Sequence, residues 1–131
     1  MDGIVVADDS ALARMIIIKS LEMLGIDSAR IIEASNGQEA LVAIKHHSVS
    51  LLVTDLNMPK MDGEKLIRWI KASPKLNSIS IVVVSSMGNP AKERQLKELG
   101  VDYVLNKPVK LVELKKVICP DYAEDTKYST C

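Results

Sequence analysis

The chain of 131 residues has the length of one ordinary domain, and a 47% apolar composition is enough to bury a core without disulfide or metal staples. Lysine plus arginine and aspartate plus glutamate each number 17, so the formal charge is zero and nothing recommends nucleic acid or an anionic membrane as partner. No apolar run approaches the ~20 residues of a membrane span, the N-terminus is too short for a signal-peptide core, and Cys119 and Cys131 lack the spaced companions of a zinc site or disulfide framework. A soluble, cytoplasmic protein is expected.

Short runs rich in Val and Ile recur at Ile4 to Ala7, Ile31 to Ala34, Leu51 to Val53, Ile81 to Val84 and Tyr103 to Leu105, and predict strands buried on both faces. After the first, Ser10 is placed to cap a helix with an inward stripe of Ile17, Leu21 and Leu24, stopped by Gly25. The Met and Ile residues of this helix are expected mostly in the core, except that Met15 and Ile18 lie around it from the stripe and form a candidate exposed patch. Asn36 caps the next helix, with Ala40, Leu41 and Ile44 inward. His46 and His47 near its end are adjacent and so do not share a face, which argues against a joint metal-ligand role. The third helix carries Leu66, Ile67 and Ile70, with Trp69 expected as a partly buried packing residue. The fourth, from Pro90 to Leu99, offers only Ala91, Leu96 and Leu99 as apolar contacts, so its anchoring is thin; Gly100 ends it. Leu111, Leu114 and Ile118 mark a fifth.

Five alternations of strand and helix imply an α/β domain with a parallel sheet, helices on both faces and right-handed crossovers. Beyond Ile118 the apolar periodicity stops, so residues 1–118 are expected to form the domain and 119–131 a loosely ordered tail. This leaves no room for an output domain, and control is expected to pass through binding.

In open parallel sheets, functional groups gather beyond the carboxyl ends of the strands. Here those ends carry Asp8-Asp9, Asp55, Ser85-Ser86 and Lys107-Pro108. Three carboxylates at one sheet edge repel one another and call for a cation. Mg²⁺ fits best, as a hard ion that binds one or two carboxylates together with a phosphate. Lys107 adds a fixed positive charge and Ser85 a hydroxyl donor, which together describe a phosphoryl site.

The stretch Asp55-Leu56-Asn57-Met58-Pro59-Lys60-Met61-Asp62-Gly63 resembles the phosphoacceptor loop of bacterial response-regulator receivers, with Asp8-Asp9, Ser85 and Lys107-Pro108 at that family's spacing. Glu33 to Leu41 and Gly100-Val101-Asp102 agree, and the resemblance runs over about residues 3 to 118, closest in organisation to the single-domain chemotaxis regulator. It implies a flavodoxin-like doubly wound (βα)5 fold with strand order 2-1-3-4-5, and a phosphoacceptor switch of a two-component phosphorelay that promotes its own phosphoryl transfer and dephosphorylation without being an enzyme in the ordinary sense. By the same resemblance Asp55 is the nucleophile toward a phosphohistidine on a sensor histidine kinase or histidine phosphotransfer protein, forming an aspartyl phosphate. Asp9, Asp55 and the backbone carbonyl of Asn57 would ligate Mg²⁺, Asp8 would help mainly through a water, Lys107 would pair with the phosphoryl oxygens and Ser85 would donate to one of them. A change around the fourth helix and fifth strand would then control an unidentified target, the protein being a monomer or weak dimer.

Two positions depart from the family pattern. Val104 stands where many receivers place an aromatic that moves with the switch, and Tyr103, one residue earlier, should face the opposite side of the sheet. Val109 stands where a Phe often follows the Lys-Pro pair. Asn57 and Met87 flank the expected path of hydrolytic water and are candidate tuners of phosphate lifetime. Met15 and Ile18 are candidate contacts for the phosphodonor. Among rival functions, a flavodoxin-like cofactor protein needs a Gly, Ser or Thr-rich phosphate loop where Asp8-Asp9 stands. An aspartyl-nucleophile phosphatase needs an Asp-x-Asp signature at the first strand, which is missing. A receiver that binds without being phosphorylated would not need the transfer groups that are present.

Overall fold

The computed structural model describes residues 2–86 and 88–119. Strands β1 (Gly3–Ala7), β2 (Ile31–Ala34), β3 (Val49–Thr54), β4 (Ser80–Ser85) and β5 (Tyr103–Asn106) alternate with helices α1 (Ala11–Met23), α2 (Gly37–His46), α3 (Gly63–Ala72), α4 (Pro90–Leu99) and α5 (Leu111–Ile118). All strand pairs are parallel and the order is β2-β1-β3-β4-β5, as the resemblance implied.

Strand side chains alternate between faces, and the two faces bury two separate clusters. Val5, Leu52, Ile81 and Val83 pack under α2, α3 and α4 against residues such as Ile44, Ile70 and Leu96. Ile4, Val6, Val53, Val82 and Val84 pack under α1 and α5 against Ile17, Leu21 and Leu114. The caps hold as expected: the Ser10 side chain accepts from Ala13 N and Asn36 from Glu39 N. Gly25 (φ 94°) and Gly100 (φ 106°) take the left-handed conformation that ends a helix without a Cβ penalty. Asp102 clamps β5 to β4, its carboxylate accepting from Ile81 N at 2.8 Å while its own N–H donates to Ile81 O at 2.9 Å.

Several sequence expectations are corrected. Ile18 is half-buried against the α1/α5 cluster, while Leu12, Met15, Ile16 and Met23 are exposed, so the helix is less of a core element than its Met and Ile content suggested. Leu111 is exposed rather than inward, and α5 is seated by buried Leu114 with Val117 and Ile118 partly buried beside it. Trp69 is 55% exposed, not a packing residue. Cys119 is buried and is not a free thiol. The expected tail (residues 120–131) and Met87 lie outside the described residues.

Candidate functional site

The β1 and β3 ends are held side by side because Asp55 N donates to Ala7 O at 3.0 Å, continuing the ladder one step past each strand. That register places Asp8, Asp9 and Asp55 together, with carboxylate oxygens all within 4.8 Å of one another. Asp8 is 1% exposed, Asp55 half-buried and Asp9 exposed. Each inner carboxylate is oriented by a local N–H: Ser10 N donates to Asp8 Oδ1 at 2.9 Å and Leu56 N to Asp55 Oδ1 at 2.7 Å. Their remaining oxygens converge on Lys107, whose Nζ lies 2.9 Å from Asp8 Oδ2 and 3.3 Å from Asp55 Oδ2. Burial works against the Lys107 charge, but the hydrogen bond to Asp8 and the charges of Asp55 and Asp8 outweigh it and hold its pKa above the usual lysine value.

Lys107 reaches the site because its own N–H donates to Ser85 O at 2.9 Å, extending the β4–β5 pairing one step past the strands. Ser85 is buried at the end of β4. Asn57 is exposed in the loop after β3, where it lines a cavity of about 680 Å³ with Ser85, Leu96, Val104 and Asn106. Thus Asp8, Asp9 and Asp55 lie together, Lys107 bridges Asp8 and Asp55, Ser85 is joined to them through the backbone of Lys107, and Asn57 stands on the rim. Three carboxylates against one ammonium leave the cluster negative, so its hard oxygen donors could hold a divalent cation. An anion could enter only with such compensation.

Sequence reasoning missed the residues that hold this arrangement. Arg14, one turn into α1, donates to the carbonyl of Asp8 and pairs with Glu33 at 3.0 Å, pinning the loop after β1. Gly63 follows the Asp62 cap and donates to Leu56 O at 2.8 Å; a Cβ there would lie 2.2 Å from Asp55 O. Gly37 donates to Met61 O at 2.9 Å and meets the same loop with the same lack of room. Glycine just after a helix cap, where alanine is the better helix former, was the available signal for close backbone approach. Glu64 at the start of α3 pairs with Lys92 of α4 and, at 3.3 Å, with Arg68; the Lys92 hydrogen bond holds the Glu64 carboxyl below its usual range.

Tyr103 and Val104 do face opposite sides: Tyr103 is in register with Val82 of the α1/α5 cluster, and Val104 with Val83 beneath α4. The cavity beside Val104 is therefore bounded by a short side chain where the family pattern often has a ring.

Comparison with known proteins agrees with this geometry. The response regulator receiver domain family model matches residues 4–119. A chemotaxis protein CheY homologue of Campylobacter jejuni is 35% identical over 106 residues, 80% of this chain and 80% of that protein. The gliding motility regulatory protein of Myxococcus xanthus is 33% identical over 104 residues, but this chain spans only 13% of its length. The crystal structure of a response regulator receiver protein from Pseudomonas putida superimposes with a TM-score of 0.80 at 32% identity, covering 91% of this chain and 96% of that one. With the fold, the strand-end cluster and these matches in agreement, the chain belongs to the response regulator receiver domain family, the CheY-like signalling domains of two-component systems.

Proposed function

We propose that this receiver domain is a phosphoacceptor switch in which Asp55 takes a phosphoryl group from a phosphohistidine on a sensor histidine kinase or phosphotransfer protein. The observation that carries the reading is the cluster of Asp8, Asp9 and Asp55 within 4.8 Å, with Lys107 2.9 Å from Asp8 and 3.3 Å from Asp55. An Asp55 carboxylate oxygen forms the new bond to phosphorus as the P–N bond of the phosphohistidine breaks, the bonding pair leaving on the imidazole nitrogen. Lys107 releases Asp55 to pair with the phosphoryl oxygens, and the Ser85 hydroxyl donates to one of them. Asp8, Asp9, Asp55 and the backbone carbonyl of Asn57 would hold Mg²⁺, Asp8 mainly through a water; the negative excess of hard oxygen donors fits that ion. When bound, it supplies positive charge against the transferring group. Cytoplasmic location and a monomeric or weakly dimeric state fit this reading. No helix among the described residues is long and apolar enough to cross a membrane.

The donor would dock on the exposed side of α1. Met15 and Ile16 are exposed there, and an apolar recess of about 280 Å³ lined by Ile16, Pro108 and Val109 opens next to Lys107. Substituting Glu at Met15 and Ile16 should leave phosphorylation by a small donor intact while transfer from the cognate phosphohistidine protein falls; unchanged transfer would remove this docking face.

Phosphorylation replaces the single negative charge of the Asp55 carboxylate with a phosphoryl group carrying about −1.5 to −2 charges and more acceptor oxygens, drawing Ser85 inward and shifting α4 and β5. With Val104 in place of a ring, Ser85 and the chain leading into α4 carry the signal. The central test is incubation with Mg²⁺ and a small phosphodonor, reading intact mass for wild type and Asp55→Asn. Wild type should gain one phosphoryl mass and the variant none; equal gain in both would defeat the assignment of Asp55.

A further inference from the structure

Away from the carboxylate cluster, α2 and α3 present a second chemical surface. Trp69 on α3 and Val42 on α2 are 55% and 56% exposed, large apolar groups on two helices that pack against each other. Lys45, one turn after Val42, places its Nζ 5.3 Å from the centre of the Trp69 ring, which joins the two helices across this face. Lys65 lies one turn before Trp69, at the i,i+4 spacing that shares a helix face. Neither Lys45 nor Lys65 makes an ion pair among the described residues.

The carboxylates that could balance these cations are turned elsewhere. α2 carries one acid, Glu39, and its Oε1 accepts from both the N–H and the hydroxyl of Ser35 at 2.8 Å. α3 carries one acid, Glu64, and it is held by Lys92 and Arg68. The result is an exposed indole and a valine flanked by ammonium groups that no carboxylate among the described residues pairs with. A surface of this kind is complementary to apolar side chains bordered by carboxylates.

We propose that the α2–α3 face around Trp69 is a docking surface for an acidic amphipathic helix of a protein partner. Its apolar stripe would cover Trp69 and Val42, and its carboxylates would meet Lys45 and Lys65. Two exposed apolar residues on rigid helices give little to insert into a bilayer, whereas a helix can cover both. Lys65 also borders the cavity lined by Asn57 and Ser85, but the surface includes none of Asp8, Asp9, Asp55 and Lys107, so this inference does not rest on Asp55.

Trp69 is the chain's single tryptophan, so its emission reports on this face alone. The test titrates the unphosphorylated protein, and Asp55→Asn in parallel, with a helical peptide whose leucine stripe is flanked by glutamates. Calorimetry measures the affinity independently of the ring's baseline emission. Saturable binding with a blue shift is expected in both proteins. The double variant Lys45→Glu/Lys65→Glu, checked for an unchanged fold by circular dichroism, should weaken it about tenfold. The same peptide with lysines for glutamates should not bind. No saturable binding, equal affinity for the double variant, equal binding of the lysine peptide, or a response only to phosphatidylserine vesicles would each overturn the proposal.

Discussion

Lys107 is the residue through which the site is balanced, since its ammonium is shared between the buried Asp8 carboxylate and that of Asp55, the proposed phosphoacceptor. Its neighbours are less comfortable: three carboxylates face one cation, and Asp9 is the exposed member. Asp9→Asn should therefore raise stability without added metal by about 0.5–2 kcal/mol, as relief of functional strain commonly does. The same variant should lose most Mg²⁺-dependent phosphorylation. Chemical denaturation beside an intact-mass time course reads both effects, and a variant less stable than wild type would contradict the charge argument. Gly63 makes the complementary case for space. A methyl group there would sit 2.2 Å from the Asp55 carbonyl oxygen, a backbone atom with no freedom to swing away. Gly63→Ala should cost about 1–3 kcal/mol by overpacking and slow phosphorylation, because the loop bearing Asp55 has to shift. Normal rates would show that the loop yields harmlessly.

At the scale of elements, α4 is thinly built into the fold. Among its described residues only Leu96 is buried, Ala91 is exposed, and Leu99 packs partly against the core. Thin apolar anchoring was legible from the charged run of its sequence, but its second attachment was not. Lys92 reaches Glu64 across 28 residues of sequence and ties α4 to the start of α3. Both side chains are partly exposed, so the pair is worth at most about 1 kcal/mol after screening. Glu64→Gln should speed amide exchange in α4 with little change in global stability. Because the Glu64 pKa is depressed in the folded protein, its contribution is present above the ordinary value of 4.5 and is lost as pH falls through the lowered one. The exchange difference between wild type and variant should accordingly vanish at acid pH. A difference that persists there would assign the effect to packing. Ser85→Ala tests the same element from the other side: if Ser85 carries the signal, the variant should still gain phosphoryl mass but lose the phosphorylation-linked change in α4 exchange.

For the whole molecule, two apolar clusters on opposite faces of one sheet make stability a joint property of both. Leu21 on α1 and Ile70 on α3 are fully buried in different clusters. Leu21→Ala and Ile70→Ala should each cost about 2–5 kcal/mol, with a single cooperative transition in denaturant because the strands between the clusters are shared. A two-step transition in either variant would show that the faces unfold separately. Metal linkage belongs to this scale too. Mg²⁺ at a hundredfold excess over its dissociation constant should stabilise wild type by about 2.7 kcal/mol, and Asp9→Asn should abolish most of that gain.

Sequence alone determined the alternation of elements, the caps at Ser10 and Asn36, the helix stops at Gly25 and Gly100, and the strand-end residues of the site. These are readable because they rest on local physics: apolar periodicity, capping hydrogen bonds and the left-handed freedom of glycine act within a few residues. What only the tertiary structure decided were the distances and exposures. Lys107 meets Asp8 across 99 residues, Arg14 pins the loop of Asp8, and Gly63 makes room for Asp55, all consequences of strand order and backbone approach. Ile18, Leu111 and Trp69 were misassigned for the same reason. A helical stripe says which residues share a face, but the neighbouring helices set how much of that face is covered, and over Trp69 they leave it open.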